Sequence, residues 1–92
     1  MSTAIEHDTG ARRFSTQSEG QEAELLYRLQ DGRLVIEHTL VPEPIGGKGI
    51  AAALVKAALE HSRAAGLRVE LACSYAAEYV RRHPEYADLV DA

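Results

Sequence analysis

Hydrophobic and polar residues alternate along two neighbouring segments, residues 23–30 and residues 33–41, which are separated by Asp31-Gly32. A period of two predicts half-buried β-strands, because successive side chains of a strand point to opposite faces of the sheet. An Asp-Gly pair between two such segments is typical of a two-residue hairpin turn, since glycine tolerates the positive φ that the turn requires. We therefore predict an antiparallel hairpin with these inward residues: Leu25, Tyr27, Leu29, Leu34, Ile36, His38 and Leu40.

The period changes from two to that of a helix at Ile50. Over residues 50–65 the apolar positions recur every three or four residues, which predicts an amphipathic helix. Its inward residues are Ile50, Ala53, Leu54, Ala57, Ala58 and His61. Gly66 is typical of a residue that ends a helix, because it adopts the left-handed conformation without strain. The pattern then predicts a buried strand at residues 67–73, a short helix at residues 76–82 and a last helical turn at residues 85–90.

The segment before the hairpin shows weaker patterning. Residues 1–10 are small or polar, which predicts a disordered lead that is dispensable for folding. Residues 13–16 are predicted to form a short first strand. The domain then covers residues 11–92 and is of the α+β class, with the order β-β-β-α-β-α. Because a helix joins the strands at 33–41 and 67–73, an antiparallel hairpin leads into one parallel βαβ unit with a right-handed crossover.

Composition and charge exclude several classes of protein. A chain of 92 residues is expected to form a single domain with one core. Its net charge of −4 argues against general nucleic-acid binding, which needs a basic surface to neutralise phosphates. One cysteine cannot form an intramolecular disulfide, and with four scattered histidines it argues against a metal centre. No signal peptide or membrane-spanning stretch is apparent, so we expect a cytoplasmic monomer or small oligomer.

Three glycines, Gly46, Gly47 and Gly49, lie between the second hairpin strand and the long helix. The first-turn amides of a helix have no intrahelical acceptor and the helix dipole makes this end positive, so such a loop is typical of a phosphate site. The alternative is a plain loop that needs its glycines only for turning. A nucleotide-hydrolase loop is excluded, because Lys48 is followed by glycine rather than by serine or threonine.

The same loop also matches a dinucleotide-binding fingerprint by its letters. Gly47, Gly49 and Ala52 fall in register, and Glu70 follows about twenty residues later, where a ribose partner is expected. We reject this interpretation, because the preceding strand belongs to an antiparallel hairpin and the chain lacks a second mononucleotide-binding half. A coenzyme A loop remains as the third kind of phosphate site.

Residues 41–51 resemble the acetyl-CoA loop of the GCN5-related N-acetyltransferases, the GNAT family, usually written Q/R-x-x-G-x-G/A. Gly49 and Ala51 match the glycine and the final small residue, whereas Gly46 replaces the expected glutamine or arginine. The resemblance extends over residues 12–90 to a minimal GNAT-like family, the small N-acetyltransferase domain proteins. The matching segments are His38-Thr39-x-Val41-Pro42, Cys73-Ser74-Tyr75 and residues 79–90.

The resemblance implies a small GNAT-like fold that uses acetyl-CoA and an amine acceptor, which can be a protein or peptide. It also implies that the loop backbone holds the pyrophosphate of coenzyme A, through Ile45, Gly46, Gly47, Lys48, Gly49, Ile50 and Ala51. The pantetheine arm would bond the backbone at Leu40 and Val41, between the separating ends of the parallel strands. Because Gly46 lacks the expected long side chain, we expect weaker affinity with backbone donation intact.

Cys73 and His38 are the candidate catalytic residues. Cys73 ends a predicted parallel strand, where α/β crevices open, and the resemblance implies a catalytic cysteine there. His38 lies near the end of the neighbouring strand, where it could accept a proton from an amine or lower the pKa of the thiol. An ordinary core role is the alternative for both residues. Tyr75 and Tyr79 are further candidates as proton donors, and Tyr79 fits core packing better.

Two functions remain open from the sequence. The first is an acetyl-CoA-dependent N-acetyltransferase, acting by direct attack of the amine with His38 as base or by acyl transfer through Cys73. The second is a module that binds CoA, acyl-CoA or another protein with little or no turnover. The short segment before the hairpin leaves no room for the helices that build an acceptor pocket in larger GNAT enzymes. We therefore expect an open acceptor side, and a redox module of the Rossmann type ranks third.

Overall fold

A five-stranded sheet forms the framework of the protein, described for residues 4–90 by a computed structural model. Its strands are β1 (Glu6–Asp8), β2 (Arg13–Ser18), β3 (Gln21–Gln30), β4 (Arg33–Leu40) and β5 (Arg68–Leu71). They lie side by side in chain order, β1-β2-β3-β4-β5. Neighbouring strands are antiparallel except β4 and β5, which are parallel.

Two α-helices complete the domain. Helix α1 (Ile50–Ala65) connects β4 to β5, and α2 (Ser74–Arg82) follows β5. Short 3-10 segments precede α1 at Glu43–Ile45 and follow α2 at Pro84–Leu89. The α+β class and the hairpin leading into a parallel βαβ unit are therefore confirmed. None of the helices within residues 4–90 is both long and apolar enough to cross a membrane.

Both helices pack on the same face of the sheet. Their buried residues join the inward side chains of β2 to β5 in one apolar cluster, with Leu25, Ile36 and Leu54 fully buried. The segment Pro84–Leu89 packs on α1, where the hydroxyl of Tyr86 donates a hydrogen bond to Glu60 at 2.5 Å. Within residues 4–90, the C-terminal ends of β4 and β5, where the candidate residues lie, are thus supported by helices from one side only.

A β-bulge in β4 overturns one prediction from the sequence. Leu26 pairs with His38 while the next residue of β3, Tyr27, pairs with Ile36, so Glu37 is an extra residue in β4. An extra residue reverses the alternation of faces beyond it. Past the bulge, Thr39 takes the helix-covered face, and His38 lies exposed on the other. The prediction that His38 shares a face with Ile36 is therefore wrong.

The same bulge exposes Leu40, which the alternation had also assigned to the inward face. Leu40 pairs with Glu24 on the face that the helices leave open, and it is 50% exposed. The predicted inward position of Leu40 is wrong for the same reason as that of His38. The backbone of Leu40 stays at the end of β4, beside the start of the glycine loop.

The two parallel strands separate just where the bulge begins. Their last pair is Ile36 with Leu71, and the amide of Ala72 donates to the carbonyl of Ile36 at 3.0 Å. Within residues 4–90, the ladder to β5 stops there, so the backbone of β4 beyond Glu37 faces a gap. The chain of β5 turns away into α2, which starts directly after Cys73.

The N-terminal segment is more ordered than its composition predicts. Residues 6–8 form β1, which pairs with β2, so the prediction of a disordered lead is wrong for them. The ring of His7 stacks on Phe14 with centroids 4.0 Å apart, and its Nε2 lies 2.6 Å from the hydroxyl of Tyr27. His61 of α1 meets the same ring edge-on at 4.4 Å. Residues 1–3, also predicted disordered, lie outside the described residues.

Candidate functional site

The glycine loop is a turn anchored by one buried side chain. Ile45 ends the 3-10 segment and is fully buried, which holds the loop against the core. The amide of Gly46 closes that segment by donating to the carbonyl of Glu43 at 3.0 Å. Gly47 and Gly49 then adopt φ of +79° and +77°, a backbone conformation that residues with a Cβ rarely adopt. These two positions therefore require glycine for the turn itself.

The positive end of α1 is bare. Gly49 is the N-cap residue and has no side chain that could accept from the first-turn amides. The first turn, Ile50-Ala51-Ala52-Ala53, contains no carboxylate to neutralise the helix dipole. A Cβ at Gly47 or Gly49 would meet no atom of residues 4–90 within 4 Å, so the backbone here is accessible. Accessible amides at the start of a 16-residue helix can bind an anion.

The loop also carries a cation whose partner the sequence did not reveal. The ammonium of Lys48 forms an ion pair with Glu19, in the turn between β2 and β3. The two residues are far apart in the chain, and no local pattern links them. Lys48 is the charged residue among the loop positions 45–51 expected to hold the pyrophosphate, and a contact of its side chain with a phosphate stays a prediction.

The thiol of Cys73 lies at the gap between β4 and β5. Cys73 is the N-cap residue of α2 and is partly buried against the core. Its Sγ lies 3.7 Å from Oγ1 of Thr39, across the point where the strands separate. The sequence had paired Cys73 with His38, but the bulge places Thr39 at the sulfur and His38 on the opposite face.

The surroundings of the thiol favour its ionised form. Partial burial raises the pKa of Cys73, but the polar groups near the sulfur outweigh this effect and the pKa lies below its ordinary value. These groups are the amides of Ala76 and Tyr75 at the start of α2, together with the hydroxyl and the amide of Thr39. The hydroxyl of Thr39 lies within hydrogen-bonding distance of Sγ, whereas Cys73 makes no side-chain cap hydrogen bond to α2. A thiolate is the nucleophilic form of cysteine, so this arrangement is suited to nucleophilic chemistry.

A cleft of about 190 Å³ lies between α1 and α2. Ala52 in the first turn of α1 lines one side, and Tyr75 and Tyr79 of α2 line the other. Tyr75 is 40% exposed there, whereas Tyr79 is buried and stacks on His83 at 4.1 Å. The cleft therefore extends along α2, from Tyr75 near its start to His83 at its end.

The basic pair at the end of α2 shares one carboxylate within the helix. Arg81 and Arg82 both bond to Glu78, and they hold the pKa of that carboxyl down at about 2. Arg82 and Glu78 belong to the rim of the same cleft. Both guanidinium groups are exposed, so the pair is a solvated one held by contacts within its own helix.

A second groove lies on the other side of β4. It has a volume of about 440 Å³ and is lined by Glu22, Glu24, Thr39, Leu40, Val41 and Pro42. Arg13 bonds to Glu24 at 2.9 Å and approaches Glu22 at 3.5 Å, so the two carboxylates share one cation. The end of β4 therefore borders a groove as well as the gap that separates it from β5.

Comparison with known proteins identifies the family. The sequence profile of a family described as GCN5-related N-acetyl-transferase matches residues 13–89. Protein NATD1 of Mus musculus is 40% identical over 83 residues, which cover 87% of this chain and 76% of that protein. Protein NATD1 of Danio rerio is 35% identical over 91 residues, covering 94% and 83% respectively.

A solved structure shows the same fold. The solution structure of a GCN5-like protein from Staphylococcus aureus superposes with a TM-score of 0.75 at 28% sequence identity. The superposition covers 97% of this chain and 88% of that one. The small GNAT-like fold expected from the resemblance is therefore confirmed. Strand β1 is additional to the order β-β-β-α-β-α that the sequence predicts.

Proposed function

Because the chain belongs to the GCN5-related N-acetyltransferase family, we propose that it transfers the acetyl group of acetyl-CoA to an amine. The observation that carries this proposal is the gap where β4 and β5 separate. The bare positive end of α1 follows β4 and the Cys73 thiol follows β5, so both lie at the edge of the sheet where these two parallel strands end. In the proposed complex, the phosphates of the thioester lie at the start of α1 and its acetyl group is directed towards the sulfur.

The residues of the loop fit the phosphate part of coenzyme A. The amides of residues 47–51 supply donors, whereas those of Ile45 and Gly46 already donate to Pro42 and Glu43. The dipole of α1 supplies positive potential. The backbone of β4 near Leu40 and Val41 has no β5 partner within residues 4–90 and can bond an extended arm as an added strand would. Lys48 contributes a further cation once it exchanges Glu19 for a phosphate.

Two routes of transfer are consistent with this placement. In the first, the thiolate of Cys73 attacks the thioester carbonyl, CoA leaves as its thiolate, and the amine then takes the acetyl group from Cys73. In the second, the amine attacks the thioester directly and His38 accepts its proton. Since His38 is exposed on the face away from the helices, the second route requires the amine to approach from that face.

A second function is binding of CoA with little turnover. It is favoured by the exposure of the face of β4 that points away from the helices. His38 and Leu40 are exposed there, so no helix within residues 4–90 covers them as the wall of an acceptor pocket. A module that holds CoA for another protein needs no such wall. Release of free CoA in the presence of a panel of amines distinguishes the two functions, because only the enzyme releases it continuously.

Replacement of Ala51 by glutamate tests the phosphate site. Ala51→Glu puts a carboxylate in the first turn of α1, where it is favourable for the helix but repels a pyrophosphate. We expect the dissociation constant for acetyl-CoA to rise about tenfold or more, roughly 1.4 kcal/mol. Isothermal titration calorimetry measures it.

The matched control is Ala64→Glu, which adds the same side chain at an exposed position in the last turn of α1. It should leave the affinity for acetyl-CoA unchanged. Equal affinity of the Ala51→Glu variant and the unmodified chain would contradict the phosphate site. Native mass spectrometry of protein purified without added ligand gives an independent readout, since retained CoA identifies the ligand by mass.

A further inference from the structure

Thr39 is the side chain that β4 presents to the thiol. Its Oγ1 lies 3.7 Å from Sγ of Cys73, within hydrogen-bonding distance of the sulfur. The residue is partly buried and pairs with Leu25, a fully buried residue of β3. Thr39 is therefore held by the core in a fixed place beside Cys73, where a hydroxyl has a defined geometry.

The bulge at Glu37 is what brings Thr39 there. In a regular strand the inward positions of β4 would continue from Leu34 and Ile36 to residue 38. The extra residue moves the inward position to residue 39, so a hydroxyl and not an imidazole meets the sulfur. Bulges commonly direct a side chain at a functional site, and this one directs Thr39.

We propose that Thr39 is the positioning residue of Cys73: its hydroxyl donates a hydrogen bond to Sγ when the thiol ionises. This inference rests on the proposed function for its purpose, since a stabilised thiolate serves acyl transfer. The step is a simple ionisation, in which the thiol proton leaves to solvent water and the threonine hydroxyl keeps its own proton. Helix α2 begins directly after Cys73, so the positive end of its dipole is close to the same sulfur.

His38 does not take the place of Thr39 beside the sulfur. His38 pairs with Leu26 and is exposed on the face away from the helices, whereas Cys73 packs against the helix-side core. The structure therefore separates two roles that the sequence had combined. Thr39 governs the protonation of the thiol, and any proton transfer by His38 concerns a group that approaches from the other face.

Alkylation of Cys73 at a series of pH values tests the proposal on the full chain. Iodoacetamide reacts with the thiolate, and Cys73 is the single cysteine of the sequence, so the rate reports the ionisation of this one group. Thr39→Val removes the hydroxyl and keeps the branched shape and the backbone amide. We expect alkylation at pH 7 to slow by about threefold to tenfold, the effect of one lost hydrogen bond. The pH at which alkylation reaches half of its maximum rate should move to a higher value.

Two features distinguish a lost hydrogen bond from altered packing. The rate at high pH, where the thiol is fully ionised, should be equal in the Thr39→Val variant and in the unmodified chain. Thr39→Ser, which keeps the hydroxyl and loses only the methyl group, should restore the original midpoint. If Thr39→Val unfolds, the comparison of Thr39→Ala with Thr39→Ser makes the same test, and circular dichroism verifies folding.

An unchanged midpoint in the Thr39→Val variant overturns the proposal. So does a Thr39→Ser variant that shifts as far as Thr39→Val, because the methyl group would then be responsible. A shift caused by His38→Gln and absent in Thr39→Val overturns it in favour of the histidine. Calorimetry with acetyl-CoA on the unmodified chain tests the proposed function separately: absence of binding contradicts that function and leaves the alkylation result as it stands.

Discussion

At the scale of the residue, the character of Cys73 comes from its place at the start of a helix and beside a hydroxyl group. Helix α2 begins immediately after it, and Oγ1 of Thr39 lies 3.7 Å from the sulfur. A cysteine at a helix start is more readily ionised than one in a strand, because the first-turn amides and the dipole stabilise negative charge. This is the chemistry that a route through an acetylated cysteine requires.

We expect incubation with acetyl-CoA to add one acetyl group to the peptide that contains Cys73. If transfer proceeds through Cys73, its thiolate attacks the thioester and the adduct forms before an amine is supplied. Peptide mass spectrometry detects the added mass, and measurement of released CoA detects turnover. Cys73→Ala should abolish both.

Direct transfer would give a different result. No adduct would form, Cys73→Ala would retain activity, and His38→Ala would lose more of it, because the amine would then depend on the histidine as base. Full activity in the Cys73→Ala, His38→Ala double variant would exclude both residues from the reaction. Tyr75, exposed in the cleft beside the start of α2, would then be the next residue to replace.

At the scale of the element, β1 is a short strand held mainly by one ring. His7 contacts Phe14, Tyr27 and His61, which come from two strands and one helix. Thr16 adds a hydrogen bond from its hydroxyl to the carbonyl of Ala4 at 2.6 Å. A strand of three residues has few ladder hydrogen bonds of its own, so these side-chain contacts decide whether it stays in place.

We expect deletion of residues 1–10 to lower the melting temperature at pH 7 by about 5 °C or more, because it removes the contacts of the His7 ring with Phe14 and Tyr27. The difference in melting temperature between the full chain and the deleted chain should be smaller at pH 5. Burial and the neighbouring His61 lower the pKa of His7, against a smaller opposing effect of Asp8. A base with a lowered folded pKa contributes stability above its unfolded value of about 6.5 and loses it as the pH falls through the folded value.

Thermal unfolding followed by circular dichroism at pH 7 and pH 5 measures this difference. The control is His7→Phe in the full chain, which keeps an aromatic ring on Phe14 and cannot titrate there. The melting temperature of the His7→Phe variant should exceed that of the deleted chain by the same amount at both pH values. A deletion that leaves the melting temperature unchanged would restore the prediction, made from the sequence, that the lead is dispensable.

At the scale of the whole molecule, the two sides of the sheet differ. Helices α1 and α2 share the core on one side, whereas His38 and Leu40 are exposed on the other. The groove lined by Glu24 and Leu40 opens to that exposed side. Under the proposed function, the acceptor therefore meets an unenclosed surface rather than a closed pocket.

We expect a lysine-containing peptide to be acetylated faster than a small free amine of similar basicity. An open surface gives a small amine few contacts to hold it, whereas a peptide can contact the groove along its length. Free CoA released per unit time, measured for matched peptide and amine at equal concentration, makes the comparison. Faster reaction of the small amine would contradict an open acceptor side, and no release with either would favour the CoA-binding module.

The sequence by itself determined the class of fold and the position of the loop. Period-two alternation around Asp31-Gly32 and helical periodicity from Ile50 depend on local sterics and on one-sided burial, which each segment encodes alone. The glycines at positions 47 and 49 are likewise local, because their backbone conformation excludes other residues. Cys73 was singled out correctly as a residue at the end of a parallel strand, in part through the resemblance to a family.

Only the tertiary structure decided which side chains meet. Alternation assumes an unbroken pleat, so it could not reveal the extra residue Glu37, and it assigned His38 the place that Thr39 occupies. The strand β1 escaped notice because its stability comes from rings on other elements and not from its own pattern. Lys48 with Glu19 is a third case, since an ion pair across two loops depends on how the loops are folded together.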